Sequence, residues 1–201
     1  MAIAEAWSTP TLRGTHVALE PLGSAHADGL RDACADGRLW ELWYTNVPQP
    51  QEVDAYIEAA LAMQAAGKAL AFVVCDAQGA VVGTTRYYDL DPATPRLQIG
   101  YTWYASRVQR TGLNTEAKLL LLGHAFEALR CAAVGLQTSW FNHASRAAIA
   151  RLGAKQEGIT RNHVRHKDGT LRDTVNFSII EGEWAAVKLN LQARLARGSQ
   201  R

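Results

Sequence analysis

Short segments of the chain show the alternation of polar and hydrophobic residues that is typical of β-strands. The segment THVALEPL alternates like a half-buried strand, while ALAFVVCD and GAVVGTTRYYDL flank an Ala-Gln-Gly turn as the two arms of a hairpin do. Asp-Pro and Thr-Pro mark another turn before RLQIGYTWY. These patterns predict strands at 15–22, 69–76, 79–90, 96–104, 132–141, 156–166 and 172–180.

Other segments carry hydrophobic residues at the three- and four-residue spacing of amphipathic helices. The clearest is 51–67, where Val53, Ile57, Ala60 and Leu61 share one face. Further helices are predicted at 24–37, about 115–129, 142–152 and 184–196. The resulting order, β-α-α-β-β-β-α-β-α-β-β, predicts an α+β fold. Because no linker or repeat interrupts it, we expect a single domain over residues 1–184 and a helical C-terminal tail over 185–201.

Composition and charge exclude several classes of protein. The 201 residues are 48% hydrophobic and 20% charged, with a net charge of +2, so no nucleic-acid or anionic membrane partner is expected. The cysteines Cys34, Cys75 and Cys131 are too widely spaced for a disulfide framework or a metal cluster. The N-terminal segment lacks the hydrophobic core of a signal peptide, and the apolar region 117–136 is interrupted by charged residues. We therefore expect a cytoplasmic, soluble protein with no metal and no membrane segment.

The turn RVQRTGLN joins a predicted strand to a strongly hydrophobic helix, and its chemistry suits an anion. Amides at a helix N-terminus have no partner within the helix, and the helix dipole is positive there. Gly112 permits close backbone approach or a positive φ, Asn114 tolerates left-handed geometry, and Arg107 and Arg110 add positive charge. These features predict a phosphate cradle. An ordinary strand-to-helix turn with solvated arginines is the alternative.

The segment QRTGLN also matches the Q/R-x-x-G-x-G/A signature of the GNAT acetyltransferases, with Asn114 in place of the last glycine. Four further segments resemble that family in the same order along the chain: LQIGYTWY, NHASRAAIARLGA, EGITR and RDTVNFSI. The chain is identified by this resemblance as a member of the RimJ/RimL-like branch. The resemblance implies a mixed, mostly antiparallel central sheet flanked by helices, with a splayed central strand pair that receives acetyl-CoA as co-substrate.

The same resemblance assigns residues to the cofactor. The backbone edge of Trp103 and Tyr104 is expected to pair with the pantetheine arm, and Asn142 and Ser145 are expected to contact it. The pyrophosphate is expected at the signature turn, which comprises Gln109, Arg110, Thr111, Gly112, Leu113, Asn114 and Thr115.

Two departures from the family pattern affect the expected catalytic residues. The usual tyrosine proton donor is replaced by Ile149, so Ser145 becomes the candidate donor, with a helix cap or a cofactor contact as the alternative. Gln98 stands where the family often has a glutamate base, and a neutral amide cannot take a proton. His163 is a further candidate base. The alternatives are that His163 is an exposed strand residue and that ordered water carries the proton.

The acceptor site is expected between the first two helices and on the strand that follows. The candidate residues are Trp40, Trp43, Tyr44, Arg86 and Tyr88, although at least two of the first three could instead belong to the core. Such an aromatic lining suits a small-molecule amine or a peptide N-terminus.

The predicted function is direct transfer of an acetyl group from acetyl-CoA to a primary amine, by a monomer or a homodimer. One alternative is a non-catalytic acyl-CoA sensor or scaffold. Another is a transferase that uses a different acyl-CoA such as succinyl-CoA, with Arg161 holding the distal carboxylate.

Overall fold

A computed structural model describes residues 7–166 and 168–198. The α+β prediction is confirmed, because one eight-stranded sheet is flanked by helices. The strands are β1 (Leu12–Arg13), β2 (Val17–Pro21), β3 (Ala69–Asp76), β4 (Val81–Asp91), β5 (Arg96–Tyr104), β6 (Ala133–Ser139), β7 (Lys155–Arg165) and β8 (Leu171–Ile180). The α-helices are α1 (Ala27–Ala35), α2 (Val53–Ala65), α3 (Leu113–Gly123), α4 (His143–Leu152) and α5 (Glu181–Gly198).

The sheet has the order β1-β2-β3-β4-β5-β6-β8-β7, and β5 and β6 form its one parallel pair among the described strands. Helices cover both faces of the centre. On β4, the Tyr87 hydroxyl donates to the carbonyl oxygen of Leu121 in α3 at 2.6 Å, while the Arg86 guanidinium stacks on the ring of Tyr56 in α2. Adjacent strand residues point to opposite faces, so α2 and α3 lie on opposite sides of the sheet.

The parallel pair β5–β6 opens part-way along its length. Backbone pairing runs from Arg96 opposite Ala133 to Ile99 opposite Leu136 and then stops, although both strands continue. The register of β5 against β4 also shifts after Gly100, and Tyr101 adopts a left-handed φ of 52°. Such a bulge bends a strand and changes the direction of its side chains. The predicted splayed strand pair is therefore present.

The sequence patterns missed some local features. Strand β1 has only two residues, which is too short to produce an alternation. Helix α3 begins two residues earlier than predicted, and its α-helical part ends at Gly123, where a π-helical turn (His124–Ala128) follows. The helix predicted over 24–37 begins with a 3₁₀ turn, Ser24–His26, and is α-helical only over Ala27–Ala35.

The last helix, α5, is packed against the rest of the fold. Val187 and Leu191 are buried, and Trp184 stacks on Phe126 with ring centroids 5.4 Å apart. The division of the chain after residue 184 stays a prediction, and α5 spans that position. Within the described part of the chain, no helix combines the length and hydrophobicity needed to cross a bilayer.

Candidate active site

A cavity of about 780 Å³ occupies the gap between β5 and β6. This main cavity extends from the first turn of α3 and the loop before α4 to the aromatic residues of α2, β4 and β5. Its volume is that of a typical site for a small molecule or cofactor. The predicted site residues that line it are Tyr44, Tyr88, Trp103, Tyr104, Gln109, Asn114, Asn142, Ser145 and His163.

The signature turn is divided between two cavities. Gln109 and Asn114 line the main cavity, whereas Thr111, Gly112 and Leu113 line a separate cavity of about 260 Å³ beside His16. The hydroxyl of Thr111 accepts a hydrogen bond from the Leu113 amide at 3.2 Å. Asn114 and Thr115 follow in the first helical turn, where amides have no acceptor within the helix.

The backbone of this turn differs from the prediction. Gly112 has a φ of −66° and Asn114 is helical, so neither needs left-handed geometry. Arg110 has it instead, with a φ of 63°. Arg107 is not free to bind an anion, because its guanidinium lies 3.3 Å from the Asp36 carboxylate. The positive charge available at the turn is therefore that of the exposed Arg110.

Asn142 and Ser145 lie at the start of α4, with Ile149 one turn further along. The Asn142 side-chain oxygen accepts a hydrogen bond from the Ser145 amide at 3.0 Å, so Asn142 is the helix cap. Ser145 lines the main cavity, and across residues 7–166 and 168–198 its hydroxyl has no hydrogen bond. Ile149 lines the same cavity and offers no proton. Ser145 is thus a free hydroxyl one helical turn before Ile149, the position where the family pattern has its donor.

Gln98 lies apart from these residues. It belongs to the paired half of β5, opposite Gly135, and does not line the main cavity. Its side chain covers Gly135 so closely that a Cβ added there would meet the Gln98 Oε1 at 2.5 Å. That oxygen is buried and has no partner among the described residues. Gln98 therefore packs the strand pair at the base of the gap.

His163 lies on an irregular stretch of β7. Thr160 pairs with Thr174 and Val164 pairs with Arg172, so three residues of β7 oppose one residue of β8. This bulge breaks the predicted alternation, and the consecutive residues 163–165 all line the main cavity. His163 Nδ1 lies 3.0 Å from the Thr174 hydroxyl. Arg161 is held outside the cavity by Asp173 at 2.6 Å.

The acceptor candidates divide into lining residues and supporting residues. Tyr44 and Tyr88 line the main cavity, whereas Trp40, Trp43 and Arg86 do not. None of the first three aromatic candidates is fully buried, so the alternative that two of them are core is not supported. Trp43 is 46% exposed and contacts the rings of Tyr44, Phe141 and His166. Arg86 is buried behind the cavity wall.

Lys118 is a cavity residue that the sequence reasoning did not select. Its side chain is 5% exposed, and its ammonium donates to the Thr102 hydroxyl at 3.0 Å. Burial lowers the pKa of Lys118 to about 7, so it can accept a proton near neutral pH. The signal was a single lysine on the hydrophobic α3, one turn after Asn114.

Comparisons with known proteins agree with this geometry. Residues 16–155 match the family described as Acetyltransferase (GNAT) domain. The chain belongs to the GNAT acetyltransferase family. It is 31% identical over 110 residues to the Bacillus subtilis (strain 168) protein named "Putative ribosomal N-acetyltransferase YdaF", a match that spans 55% of this chain and 59% of the relative.

Solved structures share the GNAT fold over most of the chain. A GCN5-related N-acetyltransferase from Brucella melitensis is 31% identical with a TM-score of 0.83, and the match covers 94% of this chain and 86% of that one. Mycobacterium smegmatis RimJ in complex with CoA-disulfide is 24% identical, with a TM-score of 0.78 over 94% and 96% of the two chains. The GNAT prediction is confirmed, and the relative named as a ribosomal N-acetyltransferase supports the RimJ/RimL-like branch.

Proposed function

We propose that this GNAT protein transfers an acetyl group from acetyl-CoA directly to a primary amine. The observation that carries the proposal is the opening of β5 from β6 beyond Ile99 and Leu136. Ser145 lines the resulting cavity from one side and Trp103 from the other. This places a free hydroxyl and an unpaired strand edge in one cavity, as acyl transfer from a long, flexible thioester requires.

The cofactor fits the donors that the gap leaves free. On the side facing β6, the backbone of Trp103 and Tyr104 has no strand partner, and the Tyr104 carbonyl oxygen accepts a hydrogen bond from the Gln109 side chain at 2.9 Å. A pantetheine arm can pair with this edge if it displaces the Gln109 amide or uses the groups that remain unpaired. The amides of Asn114 and Thr115, with the Arg110 charge nearby, suit a pyrophosphate. When bound, acetyl-CoA supplies the acetyl thioester.

The reaction needs one group that accepts a proton and one that donates a proton, and candidates for both line the main cavity. An amine attacks only in its neutral form, so its proton must be accepted before or during the attack. Lys118 and His163 line the cavity and are candidate acceptors. As the carbon–nitrogen bond forms and the carbon–sulfur bond breaks, the departing sulfur needs a proton, and the Ser145 hydroxyl, which lines the cavity, is our candidate donor.

Two classes of acceptor amine have support. The name of the Bacillus subtilis relative supports a protein N-terminus, while the tyrosines of the cavity also suit a small-molecule amine. The three cysteines are free and buried, which fits a reducing cytoplasm.

The test is thiol release from acetyl-CoA in the presence of ribosomal-type N-terminal peptides, polyamines, free amino acids and amine antibiotics. We expect acceptor-dependent release, with kcat reduced on the order of 10²-fold in Ser145→Ala if the hydroxyl is the donor. Acetyl-CoA affinity should fall much less than kcat in that variant, and a loss of affinity with kcat unchanged would assign Ser145 to the cofactor instead.

The second candidate is an acyl-CoA sensor, and it is favoured by Gln98 packing outside the cavity and by Ile149 in place of a donor. Tight acetyl-CoA binding without release for any amine would support the sensor and contradict the transferase.

A further inference from the structure

A buried guanidinium lies behind the acceptor end of the main cavity. Arg86 is 2% exposed, and its Cζ lies 4.7 Å from the Tyr56 ring centroid and 4.4 Å from that of Tyr101. Its Nε is buried without a hydrogen-bond partner, and no carboxylate pairs with it in the described part of the chain. Its Nη1 donates to the Met63 sulfur at 3.6 Å, so its charge is compensated by two aromatic faces and one weak neutral acceptor, which leaves a positive potential at this wall.

A second arginine reaches the cavity itself. Arg172, on β8, lines the main cavity, and its Nε is also buried and unpaired. Tyr88 lines the same cavity, and its ring contacts that of Tyr101 at 5.3 Å between centroids. Tyr101 in turn contacts Arg86, and the cavity residues Arg172, Tyr88 and Tyr101, together with Arg86 behind them, are called here the cationic wall. Burial lowers the pKa of Arg172, but an arginine stays charged at neutral pH.

The carboxylates near this wall do not neutralise it. Among the described residues that line the main cavity, Asp89 is the only carboxylate, and it is exposed, whereas Lys118, Arg165 and Arg172 are basic. Two arginines outside the cavity do have carboxylate partners: Arg161 pairs with Asp173, and Arg107 pairs with Asp36. A half-buried guanidinium that lines a cavity and has no protein anion is the arrangement that binds a carboxylate from a ligand.

We infer that Arg172 binds a carboxylate of the substrate at the acceptor end of the cavity. This inference rests on the proposed function, because it assigns the chemistry of a group that enters the same site. The carboxylate has two sources. It belongs either to the acceptor, as in a free amino acid or an acidic N-terminal peptide, or to the acyl group, as in a dicarboxylic acyl-CoA.

Matched substrates separate these sources. The first arm compares a free amino acid with its amide, leucine with leucinamide. The second arm compares a Ser-Asp-Ala peptide amide with Ser-Asn-Ala, which differs only in charge and one polar group. The third arm compares succinyl-CoA with acetyl-CoA, using leucinamide as the acceptor in both cases. Each arm is run with wild type, with Arg172→Met and with Arg96→Met, which removes the same charge from an exposed residue that lines neither cavity.

Loss of one charge-assisted hydrogen bond corresponds to on the order of 10- to 100-fold in kcat/KM. We expect wild type and Arg96→Met to prefer the carboxylate substrate by that factor in at least one arm, and Arg172→Met to lose the preference through KM. A preference in the first two arms assigns the carboxylate to the acceptor, and a preference in the third assigns it to the acyl group. If Arg172→Met does not fold, Arg172→Lys keeps the charge but loses the planar fork, and it should lose part of the preference.

Equal rates for the charged and neutral substrates in wild type, or a preference that survives in Arg172→Met, would overturn the inference. A failure of the proposed function looks different, because no amine is then acylated although acetyl-CoA binds. In that case calorimetry with N-acetyl-Ser-Asp-Ala and N-acetyl-Ser-Asn-Ala peptide amides, in the presence of CoA, still decides the role of Arg172. The same comparison is made for N-acetyl-leucine against its amide and for succinyl-CoA against acetyl-CoA. Tighter binding of the carboxylate member of any pair to wild type but not to Arg172→Met supports the role, and no such difference in any pair refutes it.

Discussion

The ammonium of Lys118 on α3 donates a 3.0 Å hydrogen bond to the hydroxyl of Thr102, which lies on the part of β5 that no longer pairs with β6. Thr102 also lies 2.8 Å from the Thr85 hydroxyl, so one lysine, with two threonines, connects α3 to the centre of the sheet. The described residues provide no carboxylate for this lysine. A buried cation with so little compensation lowers stability and shifts its own titration.

Replacement of Lys118 by Met should therefore stabilise the protein and remove a pH dependence. The pKa of Lys118 is about 7 when folded, against an ordinary value of 10.5. Between those pH values the unfolded chain binds the extra proton, so the stability of wild type rises with pH by about 1.4 kcal/mol per unit from this residue. Lys118→Met should lack this rise and be more stable near pH 7 by on the order of 1–4 kcal/mol.

Urea unfolding from pH 7 to 10 measures this difference. Lys68 is exposed, and its ammonium has no hydrogen bond or ion pair with any residue that the structure describes. Lys68→Met is therefore the control, and it should show the pH dependence of wild type. Parallel stability curves for wild type and Lys118→Met would show that Lys118 has an ordinary pKa.

The left-handed backbone at Arg110 gives a second prediction. A side chain at a φ of 63° costs about 1 kcal/mol relative to glycine, so Arg110→Gly should raise the free energy of unfolding by up to that amount. Arg110→Ala removes the same charge without relieving the backbone. If the guanidinium contacts the cofactor phosphates, both variants should bind acetyl-CoA several-fold more weakly, and only the glycine variant should be more stable. Destabilisation by glycine would contradict the strain.

Substitutions of two sizes at Gly112 distinguish close approach of a ligand to the backbone from a requirement of the fold for a residue without a side chain. A Cβ at this position meets His16 and Leu195 only at ordinary contact distances of 3.5 Å, so Gly112→Ala should fold normally. Gly112→Trp places a large ring at the first turn of α3 and should weaken acetyl-CoA binding more than 10-fold, as measured by calorimetry on protein whose circular dichroism is unchanged. Affinity close to that of wild type in the tryptophan variant would remove the phosphate cradle from this turn.

Asn142 is predicted to have two separable roles. Its oxygen caps α4, and its amide nitrogen is the group available to a cofactor. Asn142→Ala should lower stability by about 1 kcal/mol, whereas Asn142→Asp keeps the oxygen and should preserve stability. The aspartate variant loses the donor, so it should bind acetyl-CoA more weakly. Wild-type affinity in Asn142→Asp would leave Asn142 with the capping role alone.

The sequence predicted those parts of the fold that depend on local patterns. Strands β3 and β5 have the predicted bounds, because turn residues flank continuous or alternating hydrophobic residues. The signature turn was also correctly placed between β5 and α3. The bulges at Tyr101 and Asn162 were missed, since a bulge is defined by the register against a partner strand. Without the bulge at Asn162, the predicted alternation separated His163 from Val164, which in fact line one cavity.

The ion-pair partners of the arginines could not be predicted from the sequence either. Arg107 and Arg110 look alike in the signature turn, yet Arg107 pairs with Asp36, a residue distant in sequence. Arg172 looks like an ordinary strand arginine, and Arg86 was predicted to line the acceptor site. The absence of a carboxylate beside each of them in the described structure depends on the fold. Gln98 was placed in the reaction by analogy, whereas its packing over Gly135 depends on the register of β5 against β6.

The C-terminal helix reaches the signature turn, because Leu195 of α5 lies beside Gly112. A molecule that tightens the first turn of α3 would therefore slow the opening of the last turns of the chain. Amide hydrogen exchange at residues 190–197 should then report whether a ligand occupies the signature turn, without a labelled ligand and without turnover. A bulky fusion placed directly after this helix should weaken the same binding.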